Sequence, residues 1–361
     1  MSQPRTTQPS PEDEAYQNRI LQDVSRTFAL TIPQLPPHLG RVVGNAYLLC
    51  RIADTVEDDP DLAAEQQRAY SERFIAVVEG AADAAAFAAD LHPLLSPRLL
   101  AAERDLVAHS AAVIRITHSF TAPQRAALAR CVRIMAQGMA WYQERETLEG
   151  LADQPAMDTY CYYVAGVVGE MLTELFCDYS PAIARHRERL MTLAVSFGQG
   201  LQMTNILKDI WEDRARGACW LPRDVFRRRG VELAAVEAGA GSPGFADGLG
   251  QLIGIARMHL QNALAYTLLI PARETGIRRF CLWAIGMAVL TLRRINAHRQ
   301  FRAGSEVKIS RRAVRGTILA ANLAAGSDRS LQRLFALGTR ELPEYDIHEK
   351  LAASFTADPR T

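Results

Sequence analysis

The feature that most constrains this chain is one it lacks. Apolar/polar alternation of period two, the mark of a half-buried strand, is nearly absent from its 361 residues. Long stretches rich in Ala, Leu, Arg, Glu and Met take its place, punctuated by Pro and Gly. Pro33, Pro36 and Pro37 end a first helical stretch. Helices are expected over Gly40 to Asp58, Leu62 to Glu79, Asp158 to Cys177, Leu190 to Arg214, Leu252 to Leu269, Gly276 to Arg299 and Ser310 to Ala324. Thr121-Ala122-Pro123-Gln124 resembles a capping box with Pro in the first turn and opens a further helix through Gln143. No repeat of 20–50 residues is present. The expected fold is all-α and built as one domain over residues 14–350, with a disordered polar lead-in over 1–13 and a short polar tail over 351–361.

Several function classes fall away. A formal net charge of +1 carries no basic excess for nucleic acid. Six scattered cysteines form no C-x-x-C pair and read as reduced thiols, not disulfides or a zinc site. The eight histidines do not cluster. Gly239-Ala240-Gly241-Ser242-Pro243-Gly244 matches G-x-G-x-x-G, but no strand precedes it and Pro243 interrupts it, so Gly239 to Gly250 reads as a loop. The N-terminus has no apolar core of a signal peptide. The longest uncharged apolar run, Phe280 to Leu292, has 13 residues against the ~20 a bilayer needs, and reads as a core helix. A cytoplasmic protein is expected, with a peripheral contact at the inner membrane face left open. Oligomeric state is not legible.

Chemistry gathers in two segments. In Asp54-Thr55-Val56-Glu57-Asp58, helical spacing puts Asp54, Glu57 and Asp58 on one face. In Asn205-Ile206-Leu207-Lys208-Asp209-Ile210-Trp211-Glu212-Asp213, Asn205, Asp209 and Asp213 form a second stripe with Glu212 beside it. Like charges at this spacing repel, and either stripe alone reads as a solvated face. Both, however, sit on helices that are apolar almost all round, which places them inside a protein. Carboxylates gathered there need a cation. Mg²⁺ suits them, since it takes oxygen ligands and pairs one or two carboxylates with substrate phosphates. Arg51, Lys208, Arg214 and Arg216 stand where phosphate oxygens want partners. Arg227 to Arg229 reads as a solvated face.

These segments resemble the squalene/phytoene synthase family. Ser25-Arg26-Thr27-Phe28 is similar to its N-terminal substrate-binding S-R-x-F. Tyr47 to Asp58 is similar to its first aspartate-rich motif, with Tyr47 and Arg51 in place. Tyr160-Cys161-Tyr162-Tyr163-Val164-Ala165-Gly166-Val167-Val168-Gly169 resembles its Y-C-x-x-V-A-G-x-V-G segment, and Asn205 to Asp213 its second aspartate-rich motif. The likeness runs from about Ser25 to about Val314. It implies a single-domain isoprenoid-synthase-type helical bundle around a deep central cavity. It also implies two or three Mg²⁺ ions held by Asp54, Glu57, Asp58, Asn205, Asp209 and Asp213, and binding of two farnesyl diphosphates by Ser25, Arg26, Phe28, Tyr47, Arg51, Lys208, Arg214 and Arg216. Tyr160 is expected to assist a proton transfer, although an unperturbed tyrosine is a poor base. Phe280 to Leu292 and Val307-Lys308-Ile309 resemble segments of squalene synthases tied to the reducing step. They imply NADPH held by Lys308 and Arg311, whereas an ordinary surface lysine is the competing reading of Lys308. Phytoene and dehydrosqualene synthase, which need no hydride, are the enzyme alternatives, and a helical scaffold the non-enzyme one. Departures stand at Ala284-Ile285, where the eukaryotic enzymes have Pro-Gln, at Tyr162, where they have His, and at Ala218, where they have an Arg that Arg214 or Arg216 would replace. Gly138, Gly166, Gly169, Gly198 and Gly200 lie in helical patterns and serve either close helix packing or room for prenyl chains.

Overall fold

A computed structural model describes residues 8–25, 28–239 and 241–345. Arg26, with its expected substrate role, and the expected tail over 351–361 lie outside the described residues. Among the described residues the regular structure is helical, and the one β-type contact is an isolated bridge between Leu151 and Pro222.

α1 (Pro11–Val24) begins inside the segment expected to be disordered. Its reason is local: the Ser10 side chain accepts from the Asp13 N–H (3.2 Å), the Asp13 carboxylate accepts from the Ser10 N–H (2.9 Å), and Pro11 sits in the first turn. Tyr16, Ile20, Leu21 and Val24 then bury one face. After the short α2 (Phe28–Thr31), α3 (Pro37–Asp58) runs through the centre with Val42, Leu48, Leu49, Ile52 and Val56 fully buried. Pro60 cannot continue it. Around α3 pack α4 (Ala64–Val78), α6 (Ala101–Ala108), α7 (Ser110–His118) and α8 (Ala122–Gln143), with α5 (Ala84–Leu91) seated on α4, α6 and α7. The capping box of α8 forms as the sequence predicts, between Thr121 and Gln124.

The predicted helix over Asp158 to Cys177 is broken into three pieces. α9 (Gln154–Cys161) passes through a π-helical turn, Tyr162–Gly166, into α10 (Val167–Tyr179). Such a turn adds a residue to the helix and re-aims the side chains after it. α11 (Pro181–Ala184) leads to α12 (Arg187–Lys208). The helix expected to run on to Arg214 bends at Asp209, and α13 (Ile210–Ala215) and α14 (Arg223–Arg227) follow. α12 and α10 approach so closely that a Cβ on Gly169 would strike the Ala194 carbonyl, and one on Gly198 would strike the Ala165 carbonyl. Both glycines also line the central cavity, so each serves packing and room at once.

α15 (Pro243–Leu269) corrects the expected loop over Gly239 to Gly250. Only its first residues turn, with Gly239 and Gly241 at positive φ. Ser242 then caps the helix by accepting from the Phe245 N–H (3.3 Å), with Pro243 in the first turn. Small residues hide a face on which Phe245, Leu249, Leu252 and Ile253 are buried. α16 (Thr275–Ala297) is long and apolar enough to cross a bilayer, yet Ile277, Phe280, Trp283, Ile285 and Leu292 pack inside the bundle. α17 (Arg311–Ala324) and α18 (Asp328–Thr339) close the fold, the second unseen in the sequence.

Arg278 of α16 is 1% exposed and ties this closure together. Its guanidinium donates to the Ile270 carbonyl (2.8 and 2.6 Å), the Ala325 carbonyl (3.1 Å) and Asp328 Oδ1 (2.8 Å). Removing it leaves buried carbonyls without donors. Arg278→Met is expected to lower stability by about 3 kcal/mol or more, read as a fall in the midpoint of chemical denaturation, and an unchanged midpoint would refute the role.

Candidate active site

Two helix ends and one loop meet at a cavity of about 1350 Å³. This exceeds the roughly 300–1,000 Å³ of ordinary ligand pockets. Its walls are apolar, with Val43, Met135, Leu172, Phe176, Phe197 and Phe280 among them, and its polar end carries Arg51, Asp54, Asn205, Lys208, Asp209 and Glu212. Tyr266 presents a ring to the cavity while its hydroxyl is satisfied by Thr173 Oγ1 at 2.9 Å. Burial holds that hydroxyl protonated, well above the usual tyrosine range.

The first acidic stripe occupies the last turns of α3. Arg51 is gripped on several sides. It donates to the Tyr47 hydroxyl (3.1 Å), and its Nη1 lies 3.8 Å from Asp54 and 3.6 Å from Glu103. Its Nε is buried and has no hydrogen-bond partner among the described residues. Tyr47 in turn donates to the Val24 carbonyl (3.1 Å) and packs on the Phe28 ring at 5.1 Å. Burial lifts the Asp54 carboxyl to about 7; Arg51 opposes this, and Asp58 and Glu103 add to it. Glu57 rises well above the usual range, first from burial and then from its neighbours Asp58, Asp54 and Glu146. Asp58 keeps solvent access but is raised by the crowded walls around it, with Arg216 and Arg51 opposing. Asp59, next in sequence, is structural: it accepts from the N–H groups of Asp61, Leu62 and Ser96.

The second stripe survives the bend at Asp209. The Asp209 N–H donates to the Asn205 carbonyl and the Asp213 N–H to the Asp209 carbonyl, both at 2.9 Å, so four-residue spacing is kept. Lys208 Nζ lies 3.0 Å from Asp209 Oδ2. Asp213 is buried, its carboxyl raised chiefly by that burial, and it accepts from Arg216 at 2.6 Å. The Arg216 charge is also felt by Asp58 and Glu146, which brings the two stripes within electrostatic reach across the mouth. They do not close on each other: among the described residues no three His, Cys, Asp or Glu side chains form a ready metal cluster.

Other expected residues sort differently. Tyr160 stacks on Trp220 at 4.2 Å and meets Tyr142 edge-on at 5.0 Å. Burial first, then Glu57 and the other acids around it, push its hydroxyl far above the usual range. A hydroxyl so placed is a hydrogen-bond donor at the edge of the acidic mouth. Arg214 points away: it donates to the carbonyls of Leu233 (2.8 Å), Ala234 (3.3 Å) and Val236 (2.8 Å) and anchors a loop. Ser25 accepts from the Phe28 N–H (3.0 Å) and shapes the turn into α2. No disulfide joins any of the six cysteines.

Lys308 and Arg311 also line the cavity, joined by Arg315, which the sequence did not single out. Their segment is fastened to α13. Trp211 Nε1 donates to the Phe301 carbonyl (2.7 Å), and Glu212 Oε1 accepts from the Gly304 N–H (2.8 Å). A Cβ on Gly304 would come within 3.0–3.1 Å of Lys208 O, Asp209 Oδ1 and Glu212 Oε1, so a side chain there would press on all three. Glu103 and this use of Glu212 had no motif to announce them, since both depend on partners distant in sequence.

The sequence profile of the squalene/phytoene synthase family matches residues 21–313. The squalene synthase of Eremothecium gossypii is 30% identical over 76% of this chain and 60% of its own length. Squalene synthase 1 of Arabidopsis thaliana is 29% identical over 76% and 63%. The chain thus spans about 60% of the length of such curated relatives. Among solved structures, the complex of TcSQS with the ligand BPH1237 matches with a TM-score of 0.75, at 24% identity over 94% of this chain and 95% of that one. A dehydrosqualene synthase in complex with a ligand matches with a TM-score of 0.60, at 21% identity over 88% and 97%. Both share the fold. On the family match, which spans residues 21–313, the chain belongs to the squalene/phytoene synthase family.

Proposed function

We propose that the protein is a squalene synthase, joining two farnesyl diphosphates head to head into presqualene diphosphate and reducing that to squalene. The observation that carries this is the pairing of a large apolar cavity with a mouth where two carboxylate stripes face Arg51 and Lys208. Apolar walls of this extent accommodate two prenyl chains, and the polar end accommodates their diphosphates.

The donor set fits Mg²⁺: carboxylates and an amide oxygen, with the Asp54, Glu57, Asp58 and Asp213 carboxyls held above their usual range chiefly by burial. Asp54, Glu57, Asp58, Asn205, Asp209 and Asp213 would hold it. The separation of the stripes suits ions that complete their shells with phosphate and water. When bound, Mg²⁺ draws charge from the diphosphate and eases its departure. Arg51, aimed by Tyr47, Asp54 and Glu103, offers the buried Nε and its remaining donors to phosphate oxygens. Lys208 adds a second positive charge, and Arg216 is placed to leave Asp213 for the substrate. Loss of the first diphosphate leaves an allylic cation, which the double bond of the second molecule attacks. The departing diphosphate takes the proton whose loss closes the cyclopropane, while Tyr160 donates a hydrogen bond. The dry walls keep water from the cations. NADPH, when bound, supplies the hydride of the final step, and Lys308 and Arg311 would hold its phosphates.

Asp54→Asn and Asp209→Asn are each expected to cut turnover at least 10²-fold without loss of fold, since neutralising one carboxylate relieves repulsion in the metal-free protein. Diphosphate release and thermal melting measured together check this, and near-normal turnover in either variant would dismiss the two-stripe site. Lys308→Ala is expected to impair squalene formation more than presqualene diphosphate formation. Equal loss in both half-reactions, or none, would leave Lys308 an ordinary surface lysine. Mass analysis of products from farnesyl diphosphate and Mg²⁺ decides the reading as a whole. Squalene is expected with NADPH, and presqualene diphosphate or dehydrogenated C30 products without it. The same C30 hydrocarbon at the same rate either way would make the chain a dehydrosqualene synthase, and preference for geranylgeranyl diphosphate with a C40 product a phytoene synthase.

A further inference from the structure

The hairpin of α17 and α18 carries surface that the proposed chemistry does not use. Eight large apolar side chains are exposed on the described surface, and four of them, Leu319, Leu323, Leu334 and Leu337, stand on this hairpin. Leu323 is 80% exposed, Leu337 64% and Leu319 61%. Single exposed leucines are ordinary, but these are grouped. Leu319 and Leu323 are four apart on α17, and Arg312 and Arg315 continue their face towards the start of the helix. Leu334 and Leu337 are three apart on α18, flanked by Arg333 and Arg340.

This face is not the one that holds the hairpin in place. Ala321, Ala324, Ala325 and Leu331 do that, packed with Leu282 and Trp283 of α16. The leucines outside are surplus to folding. The charge is one-sided as well. Residues 311–340 contain six arginines and one acid, Asp328, which is engaged by Arg278. Among the described residues Arg312, Arg315, Arg329 and Arg333 make no ion pair. Helices with exposed leucines set among unpaired arginines meet two requirements at once: apolar side chains for the acyl boundary and guanidinium groups for phosphate headgroups. A second copy of this chain is a poor occupant, because two such basic faces would repel.

We propose that the outer face of the α17–α18 hairpin docks the protein on an anionic lipid surface. Position supports it. Arg315 and Ile318 of α17 also line the central cavity, as does Leu30, itself 48% exposed. Docking through α17 therefore sets one wall of the cavity beside the bilayer, a short route for an apolar product into lipid. That last consequence rests on the proposed function, whereas docking itself rests on the hairpin alone.

The test is flotation of the full chain with vesicles, without substrate, so that its outcome is independent of catalysis. Phosphatidylglycerol/phosphatidylcholine vesicles should capture the protein at low salt and release most of it at high salt. Phosphatidylcholine alone should capture little. Leu319→Ser with Leu323→Ser should weaken capture at least tenfold with an unchanged melting temperature, and Arg312→Gln with Arg333→Gln should flatten the salt dependence. No capture at low salt would overturn the proposal, as would capture that ignores lipid charge or survives the leucine changes at full strength. Light scattering that shows a dimer dissolved by the same leucine changes would assign the face to a second copy instead.

Discussion

The fold depends on one costly arrangement, the gathering of like-charged carboxylates at the mouth of an apolar cavity. Charge removed from water without a partner is expensive, and Asp54, Glu57, Asp58 and Asp213 each show the strain as a carboxyl held above its ordinary range, with burial the largest cause. The arginines and lysine around them offset part of this. Arg51 serves Asp54 and Glu103, Arg216 serves Asp213 and acts on Asp58, and Lys208 serves Asp209. The compensation is incomplete, and the residue of negative potential is what a divalent cation would relieve. Stability is thus given up locally and recovered in the surrounding core, where α3 buries Leu48, Leu49, Ile52 and Val56 completely.

How much of this was legible in the sequence follows from how local each feature is. The stripes are i, i+3 and i+4 patterns, and helices carry such patterns faithfully, so Asp54 to Asp58 and Asn205 to Asp213 were readable without coordinates. Caps are equally local, which is why Thr121 announced α8. The capping pair at Ser10 and Asp13 is local too and was simply passed over, and Ser242-Pro243 was masked by the glycines around it. The bend at Asp209 and the π-helical turn at Tyr162–Gly166 have no spacing signature, since tertiary packing imposes them. Arg214 shows the limit from the other side. Its place beside the second stripe suggested phosphate, but three carbonyls of a distant loop claim it. Glu103, 52 positions from Arg51, was beyond any periodicity argument.

The same distinction separates the two halves of the site. The first acidic stripe is fixed by helix geometry within α3, and the second keeps its four-residue spacing across the bend through local backbone hydrogen bonds. The cationic wall of Lys308, Arg311 and Arg315 has no such guarantee, because it follows an irregular segment. Its position is set by two side chains of the second stripe's own helix, Trp211 and Glu212, through hydrogen bonds to Phe301 and Gly304. Glu212, which the sequence sets beside the second stripe, therefore spends one carboxylate oxygen on holding a loop. The bend at Asp209 turns the short helix α13 so that Asp213 and Glu212 serve opposite sides, one facing Arg216 and the other the loop. Binding at the stripe and placement of the cationic wall are consequently joined through a six-residue helix. Gly304 lies close against this helix, where an added Cβ would come within 3.1 Å of Asp209 Oδ1 and Glu212 Oε1, so the loop and the second stripe pack tightly on each other.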